Sequence, residues 1–374
     1  MYPDPRINYL SKQSCSNYYK LLRDLKSHPC CLVLGAGASA TVDLPTWNTL
    51  LKRICHCYFS QWAMKISSGE ESAERPPNDV SIALTNSYEQ YRLEKEHPEL
   101  IEFEKILSTA EYWVNGHKLS DEEAHQMTNK MIKSKQLIRE LQDSFMKKIM
   151  SGDLTIIAQM IKNNVRPKDW NYLLRKSLYS SYEDDPYILN ISPLYHALIR
   201  LTNTYGINTI INYNYDDTFY HALCEYGFKF QNHYKNMDTH SNKRIYYPHG
   251  YIPMKGGVIT DIVLSEDDYQ QQIYHQNLWS NNIQTSNFMS STCIFVGLSL
   301  NDSNIRRIIN MGAQSGPYKH YAFLPMSGTD QASIMYDSLC DTDLYRLGIR
   351  VIRYPRNNNH EELPKILNIL CELN

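Results

Sequence analysis

A short apolar run that ends in a glycine-rich turn constrains the fold more than any other feature. Residues 30–34 read Cys-Cys-Leu-Val-Leu, and residues 35–39 read Gly-Ala-Gly-Ala-Ser. A continuous apolar run of this length is typical of a strand that is buried on both faces of a parallel sheet. Residues 46–54 then predict a helix, with Thr46 as its N-cap. Together these segments predict the opening strand–turn–helix unit of an α/β fold.

The same alternation of strands and helices returns after residue 193. Helical patterns cover residues 194–205, 217–226 and 302–311. Apolar, strand-like patterns cover residues 207–213, 245–247, 257–259, 292–296, 321–324 and 350–354. Strands that alternate with helices predict a parallel sheet covered on both faces. The predicted fold class is therefore α/β, with a Rossmann-like parallel sheet and helices on both faces.

The middle of the chain has a helical texture. Apolar residues recur there at spacings of mostly four or five, at Ile132, Leu137, Leu141, Phe145 and Ile149. We therefore predict a large helical insertion over residues 61–189, within a Rossmann-like domain made of residues 1–60 and 190–374. Its charges are those of a solvated helix face.

Charge and hydropathy argue against a protein that holds nucleic acid by its overall charge and against a protein with a transmembrane helix. Lys and Arg number 38 against 40 Asp and Glu, so no global basic field exists to neutralise the phosphates of a nucleic acid. No apolar run reaches 18 residues, which excludes a transmembrane helix. The N-terminal residues 1–15 contain two early prolines and no apolar core, so we expect no secretory signal.

The nine cysteines indicate the compartment and argue against a zinc ribbon. They are odd in number and scattered, and none is paired in a Cys-x-x-Cys spacing. This pattern predicts reduced thiols in the cytoplasm and no structural zinc site.

Four polar motifs follow predicted strands, where ligand sites of open α/β sheets lie. Residues 35–39 fit a phosphate-cradling loop or an ordinary strand–helix turn. The segment 212–216, Asn-Tyr-Asn-Tyr-Asp, offers amides and a carboxylate to a ligand, or forms an Asx-turn with a helix cap. His249, between Pro248 and Gly250, is a candidate general base or else a histidine of the surface or core.

The fourth polar motif spans residues 297–302, and an acidic residue expected of dehydrogenases is missing after the glycine loop. In Gly297-Leu298-Ser299-Leu300-Asn301-Asp302, Asp302 either caps the next helix or, with Ser299 and backbone amides, contacts ribose or phosphate oxygens. Dinucleotide-binding dehydrogenases need an acidic residue about 20 positions after the glycine loop. Residues 54–58 read Ile-Cys-His-Cys-Tyr instead, which argues against hydride transfer.

The order of these motifs resembles the sirtuin (silent information regulator two) family. It is most similar to the bacterial anti-phage sirtuin-like NAD hydrolases, and the resemblance covers residues 30–60 and 193–312. Phe103 and Glu104 fit the acidic-aromatic pattern that such proteins often carry in the insertion. The resemblance implies an NAD glycohydrolase (NADase) that releases nicotinamide and ADP-ribose as the effector of abortive infection.

The resemblance also assigns residues. The catalytic positions that it implies are Asn214, Asp216 and His249. The positions that it implies for binding NAD, which is the substrate, are Gly35, Ala36, Gly37, Ala38, Ser39, Gly297, Ser299 and Asp302. It implies no metal.

Three departures separate this chain from protein-deacetylating sirtuins. The chain lacks their paired Cys-x-x-Cys motifs, and residues 41–47 lack their Asp-Phe-Arg. Tyr213 stands where they have glutamine. The readings that remain beside hydrolysis are a catalytically silent subunit that binds NAD or ADP-ribose, and an NAD-dependent deacylase or ADP-ribosyltransferase.

An NAD hydrolase must be controlled to spare its own cell. Only about 20 residues follow the last predicted strand, so we expect no fused sensor. The resemblance implies control by homo-oligomerisation or by a partner such as a HerA-like ATPase. From the charge balance and the absence of a long apolar run, we expect no direct sequence-specific nucleic-acid binding and no membrane.

Overall fold

The computed structural model describes ten segments of the chain, which are residues 4–68, 113–114, 117–118, 147, 152–182, 190–235, 241–275, 278–315, 319–357 and 360–374. The chain divides into two units. One consists of Met1–Trp47 and Leu178–Asn374, and the other is Asn48–Ser177. The predicted insertion over residues 61–189 stays a prediction, because the apolar stripe of residues 132–149 and the motif at Phe103 lie outside the described residues.

The described residues of both units form the following helices and strands. The described strands are β1 (Cys30–Leu34), β2 (Trp113–Val114), β3 (His117–Lys118), β4 (Thr209–Asn212), β5 (Gln231–His233), β6 (Arg244–Tyr246), β7 (Thr292–Val296), β8 (His320–Pro325) and β9 (Ile349–Tyr354). The described α-helices are α1 (Lys12–Ser27), α2 (Ala36–Ser39), α3 (Trp47–Ser68), α4 (Leu154–Asn163), α5 (Pro167–Leu178), α6 (Pro193–Thr204), α7 (Thr218–Glu225), α8 (Glu266–Tyr274), α9 (Trp279–Ser290), α10 (Ser303–Ser315), α11 (Gln331–Arg346) and α12 (Glu362–Glu372). Short 3-10 helices cover Pro5–Ile7, Ala40–Val42 and Ser180–Tyr182.

Seven strands form one sheet in the order β5-β6-β4-β1-β7-β8-β9, and every pairing in it is parallel. In the register at its centre, Leu32 of β1 pairs with Ile210 of β4 and with Ile294 of β7. All five residues of β7 are buried, so both faces of the sheet are covered at this strand. The predicted Rossmann-like α/β fold class is confirmed.

The strand order defines where a ligand would bind. The chain runs from β1 to β4 and on to the edge strand β5, then comes back to place β6 between β5 and β4. It next lays β7 on the other side of β1. Crevices in such sheets open at the carboxyl ends of the strands where the order reverses. Here that point lies between β1 and β7.

Two sets of helices cover the sheet. On one face, Val33 and Phe295 share an apolar cluster with Phe288 of α9 and Ile308 of α10. Elsewhere, α1 is anchored by two hydrogen bonds, in which the Asn17 amide donates to the Val351 carbonyl at 2.8 Å and the Tyr18 hydroxyl donates to that of Ile366 at 3.1 Å.

One predicted strand is wrong. Residues 257–259 form a loop, and the next residue, Thr260, makes an isolated antiparallel bridge with Tyr251. Val258 is 78% exposed, and Gly256 and Gly257 both have positive φ. The apolar pair at 258–259 therefore has no sheet to enter, and the glycines set the backbone in a turn.

Within the described segments, no helix is both long and apolar enough to cross a membrane. All nine cysteines are free thiols.

A buried histidine makes the stability of the sheet depend on pH. His320 of β8 is fully buried, and its Nδ1 accepts the Cys293 N–H at 3.2 Å. Its ring packs edge-on against Phe288 and Phe295, with centroids 5.8 and 6.2 Å away. Burial, with the charge of Lys319, lowers the pKa of His320 to about 4. The folded protein therefore favours the neutral imidazole.

We predict an acid-dependent loss of stability that belongs to His320. The pKa of His320 is lower in the folded state than in the unfolded state. The buried neutral ring therefore contributes its full stability above about pH 6.5, and this contribution is lost as the pH falls towards 4. Between pH 7 and pH 5, the free energy of unfolding should fall by about 2 kcal/mol more in the wild type than in His320→Asn. Urea denaturation at both pH values measures this, with His275→Asn as an exposed control. Equal pH dependence in the wild type and His320→Asn would contradict the assignment.

Candidate functional site

The four polar motifs meet at the carboxyl edge of the parallel sheet. Residues 35–39, called the glycine loop below, follow β1. Asn214 follows β4, His249 follows β6, and residues 297–299, called the Gly297 loop, follow β7. These four strands are neighbours in the order β6-β4-β1-β7. The sheet thus assembles at one edge segments that are up to 264 residues apart in sequence.

The glycine loop and the Gly297 loop touch backbone to backbone. The N–H of Gly35 donates to the Val296 carbonyl at 3.0 Å, and the N–H of Gly37 donates to the Gly297 carbonyl at 2.9 Å. A Cβ on Gly35 would lie 2.6 Å from the Gly297 oxygen. A Cβ on Gly297, whose φ is +71°, would lie 2.4 Å from the nitrogen of Ala38. These glycines are therefore needed for the contact between the loops, whatever ligand they also bind.

The Asn214 side chain ties β4 to the glycine loop. It is nearly buried, and its Nδ2 donates to the Gly35 carbonyl at 3.0 Å and to Ser39 Oγ at 2.8 Å. Its own N–H donates to Asn212 Oδ1 at 3.2 Å. The local Asx-type turn and the contact with the loop are both present, so the amide of Asn214 has a fixed orientation.

A buried chain of hydroxyl groups links Ser39 to Asp216. Ser39 Oγ lies 3.4 Å from the Tyr195 hydroxyl, which lies 2.8 Å from Thr218 Oγ1. Thr218 donates to Asp216 Oδ1 through its hydroxyl and, at 3.1 Å, through its N–H. Burial raises the pKa of Asp216, although the hydrogen bonds from Thr218 and Ser39 oppose the rise. Tyr195 and Thr218 were missed by sequence reasoning, because neither belongs to a strand-end motif.

His249 is buried beside two tyrosines. It is 6% exposed, its ring centroid lies 5.0 Å from that of Tyr213 and 6.0 Å from that of Tyr269, and both contacts are edge-on. Its Nε2 has no hydrogen-bond partner among the described residues. Burial lowers the pKa of His249, and the negative charge of Asp302 opposes this. A neutral imidazole with an available nitrogen can accept a proton near pH 7.

Tyr213 packs against the imidazole and is itself bound to helix α9. Its hydroxyl donates to Gln284 Oε1, and the Gln284 amide donates to the Ser280 carbonyl at 2.9 Å. The second bond fixes which end of the amide faces Tyr213. Tyr213 therefore supports His249 by ring packing, while its hydroxyl is bound to α9.

Asp302 caps a helix and also faces the histidine side of the site. Its Oδ1 accepts the N–H groups of Asn304 at 2.8 Å and Ile305 at 3.0 Å, as an N-cap does. Tyr269 hydrogen-bonds to Asp302, and burial together with this carboxylate raises the pKa of Tyr269. Ser299 is exposed, and its Oγ accepts the Asn301 N–H at 3.4 Å.

A second carboxylate, Asp217, holds the loop that follows His249. It is buried, and it accepts the Met254 N–H at 3.0 Å, the Tyr251 hydroxyl at 2.9 Å and the Tyr179 hydroxyl at 3.3 Å. Sequence reasoning missed this role. The only signal was the pair of adjacent aspartates, of which the motif singled out the first.

In the part of the chain that the structure describes, no group of three or more His, Cys, Asp or Glu side chains is arranged to hold a metal ion.

Comparison with protein families gives one match. Residues 208–340 match the model of the SIR2-like domain. This match supports a sirtuin-like relationship for that part of the chain, and SIR2-like domains point to chemistry with NAD. The matched range contains Asn214, Asp216, His249 and the Gly297 loop, whereas the glycine loop lies before it. No curated protein matches the chain.

We predict that the close contact between the glycine loop and the Gly297 loop stabilises the fold. Gly297→Ala should lower the free energy of unfolding by about 3 kcal/mol, because the new Cβ meets the Ala38 nitrogen and the residue has positive φ. Gly206→Ala is the matched control, since its φ is +61° and nothing lies within 4 Å of its Cβ. That control should cost about 1 kcal/mol. Urea denaturation of both variants measures the difference, and equal losses would contradict a close approach of the loops.

Proposed function

We propose that the chain is an NAD glycohydrolase that cleaves the bond between nicotinamide and ribose. The observation that carries this proposal is the buried His249, whose Nε2 has no partner in the described structure and which shares one edge of the sheet with Asn214. The match of residues 208–340 to the SIR2-like domain supports NAD as the substrate. The proposed chemistry needs no metal.

The proposed reaction consumes one water. The bond between the nicotinamide nitrogen and the anomeric carbon breaks, and its electron pair leaves with nicotinamide, which becomes neutral. The water oxygen bonds to the anomeric carbon, and the proton that it loses passes to His249 Nε2 and then to solvent. The products are nicotinamide, ADP-ribose and one proton. Since the leaving group is already cationic, strong acid assistance is unnecessary.

Asn214 and Asp216 serve as positioning groups in this proposal. The Asn214 amide is fixed by Gly35 and Ser39, so its remaining oxygen can orient the water or the carboxamide. Asp216 lies on the same hydroxyl chain, and we assign it to the ribose side of the substrate. A pre-fixed amide loses little entropy when the substrate binds.

The binding residues are proposed to divide between the two loops. The glycine loop, Gly35 to Ser39, holds the pyrophosphate, and Gly297, Ser299 and Asp302 hold the adenosine side. Ser299 is exposed and so available to a ligand, which supports its place in this set. In contrast, the N–H groups of Gly35, Gly37 and Ala38 already have backbone acceptors. Ala36 is half-buried and Gly37 is exposed, so we assign the phosphate contact to this part of the glycine loop.

We predict that loss of the Asn214 amide or of the His249 imidazole abolishes most NAD cleavage. Asn214→Ala and His249→Ala should each lower NAD cleavage by about 100-fold or more, because positioning and proton transfer are lost. The assay is release of free nicotinamide by the purified chain, alone and with the product of a neighbouring gene. Asn203→Ala and His275→Ala, at exposed positions, are the matched controls.

The outcomes distinguish an NAD hydrolase from a silent binding subunit and from a deacylase or transferase. Turnover like the wild type in both site variants would sink the assignment. Tight binding of NAD with no cleavage under any condition would instead identify a silent binding subunit. Cleavage that needs an acyl-lysine or another acceptor would identify a deacylase or transferase.

We further propose that the protein acts in the cytoplasm as the effector of an anti-phage abortive-infection system. It would work as a homo-oligomer, with a partner such as a HerA-like ATPase, and without direct binding to nucleic acid or membrane. The formal net charge of −2 supports the absence of a general nucleic-acid surface.

We predict that assembly controls turnover. NAD cleavage should change by about tenfold or more when a partner is added or when the oligomer is dissociated, because an ungated enzyme would exhaust cellular NAD. Light scattering combined with nicotinamide release measures both quantities. A monomer with full activity that no partner alters would show that control lies elsewhere.

A further inference from the structure

Helix α11 buries a carboxylate and exposes most of its large apolar residues, unlike an ordinary surface helix. Its buried residues are Asp337 and Leu344. Arg353 of β9 forms ion pairs with Asp337 at 3.0 Å and with Asp341 at 2.7 Å. Asp337 also accepts the N–H of Ser327 at 3.0 Å and its hydroxyl at 2.6 Å. The side that faces the sheet is therefore held by carboxylates.

Five large apolar or aromatic side chains of α11 face solvent. They are between 53% and 66% exposed, and they are Ile334, Met335, Tyr336, Leu339 and Tyr345. The whole helix, residues 331–346, contains no Lys and no Glu, and its only cation is Arg346 at the C-terminal end. An exposed apolar stripe along a complete helix marks a surface that another molecule covers.

The geometry points to a second copy of this chain as the occupant, with the two α11 helices packed antiparallel across a two-fold axis between Ser338 and Leu339. This arrangement sets large residues against small ones. Leu339 of one copy lies opposite Ser338 of the other, Met335 opposite Thr342 and Tyr345 opposite Ala332. Every such pair occurs twice by symmetry, as an isologous interface requires.

The charges at the two ends of α11 complement each other in the same arrangement. Asp330 caps the N-terminus and is exposed, and Arg346 is exposed at the C-terminus. No ion pair joins Arg346 to another described residue. Antiparallel packing brings Arg346 of each copy beside Asp330 of the other. It also opposes the two helix dipoles, which favours antiparallel neighbours.

Other partners fit the surface less well. A nucleic acid or an anionic membrane needs several cations, and α11 has one. A different protein has no reason to match the order of large and small residues along α11, whereas a second copy matches it by symmetry. The inference does not depend on NAD cleavage.

Sedimentation velocity of the full chain at micromolar concentration is the test. The wild type should sediment as at least twice the 43.7 kDa chain mass. Met335→Glu with Leu339→Glu should raise the dissociation constant of this contact by about 100-fold or more, because four carboxylates then meet at the axis. Val258→Glu, on a loop where the side chain is 78% exposed, is the control and should leave the mass unchanged.

A charge swap tests the antiparallel direction. Arg346→Asp and Asp330→Arg should each weaken assembly, and the double variant should restore it. Because Asp330 accepts the Ser333 N–H at 3.0 Å, thermal unfolding of each variant must show that the fold persists. A monomeric wild type, an unchanged mass of the double-glutamate variant, or attachment of this face only to a different protein would each overturn the inference. These outcomes leave the proposed NAD chemistry untouched, since the readout is mass alone.

Discussion

The contact between the glycine loop and the Gly297 loop is the constraint on which the site depends. Two backbone hydrogen bonds of 2.9 and 3.0 Å hold the ends of β1 and β7 together at the point where the strand order reverses. A Cβ at Gly297 would come within 2.4 Å of the opposing backbone. Since backbone cannot move aside as a flexible side chain can, this closeness fixes both loops. It also presents the Gly35 carbonyl to Asn214.

Burial of the candidate site leaves one of its polar groups, the His249 imidazole, without a hydrogen bond at Nε2 in the part of the chain that the structure describes. The site contains Asn214, Asp216 and His249, each nearly inaccessible to solvent. For Asn214 and Asp216, hydrogen bonds within the protein replace those lost to water. For His249 Nε2 no such replacement exists among the described residues, and an unsatisfied buried nitrogen costs free energy. Packing against Tyr213 keeps the ring in place despite that cost. A group held in this way is ready to bind or to accept a proton.

The sequence predicted the central sheet well because buried parallel strands leave a plain signal. The runs at Cys30–Leu34 and Thr292–Val296 match the observed strands residue for residue. The placement of the four motifs at strand ends followed from the same signal. The strand predicted at 257–259 failed because two apolar residues beside two glycines resemble a strand only when tertiary contacts are ignored.

What the sequence did not reveal depends on contacts between distant segments. Tyr195 joins Ser39 to Thr218 across a sequence gap of 156 residues on one side, and Asp217 gathers the hydroxyls of Tyr179 and Tyr251. No local pattern marks these residues. Helix α11 was also missed, because most of its large apolar residues face solvent while Asp337 is buried, so the usual amphipathic rule points the wrong way.

The most direct test of the account is a crystal structure of the chain with a non-cleavable NAD analogue. The account predicts that the nicotinamide ribose lies at the carboxyl ends of β4 and β6. His249 Nε2 should then be within about 3.2 Å of a ribose hydroxyl or of a water beside the anomeric carbon. The pyrophosphate should lie against the glycine loop. An analogue bound away from this edge of the sheet, or a His249 Nε2 that stays unpartnered in the complex, would contradict it.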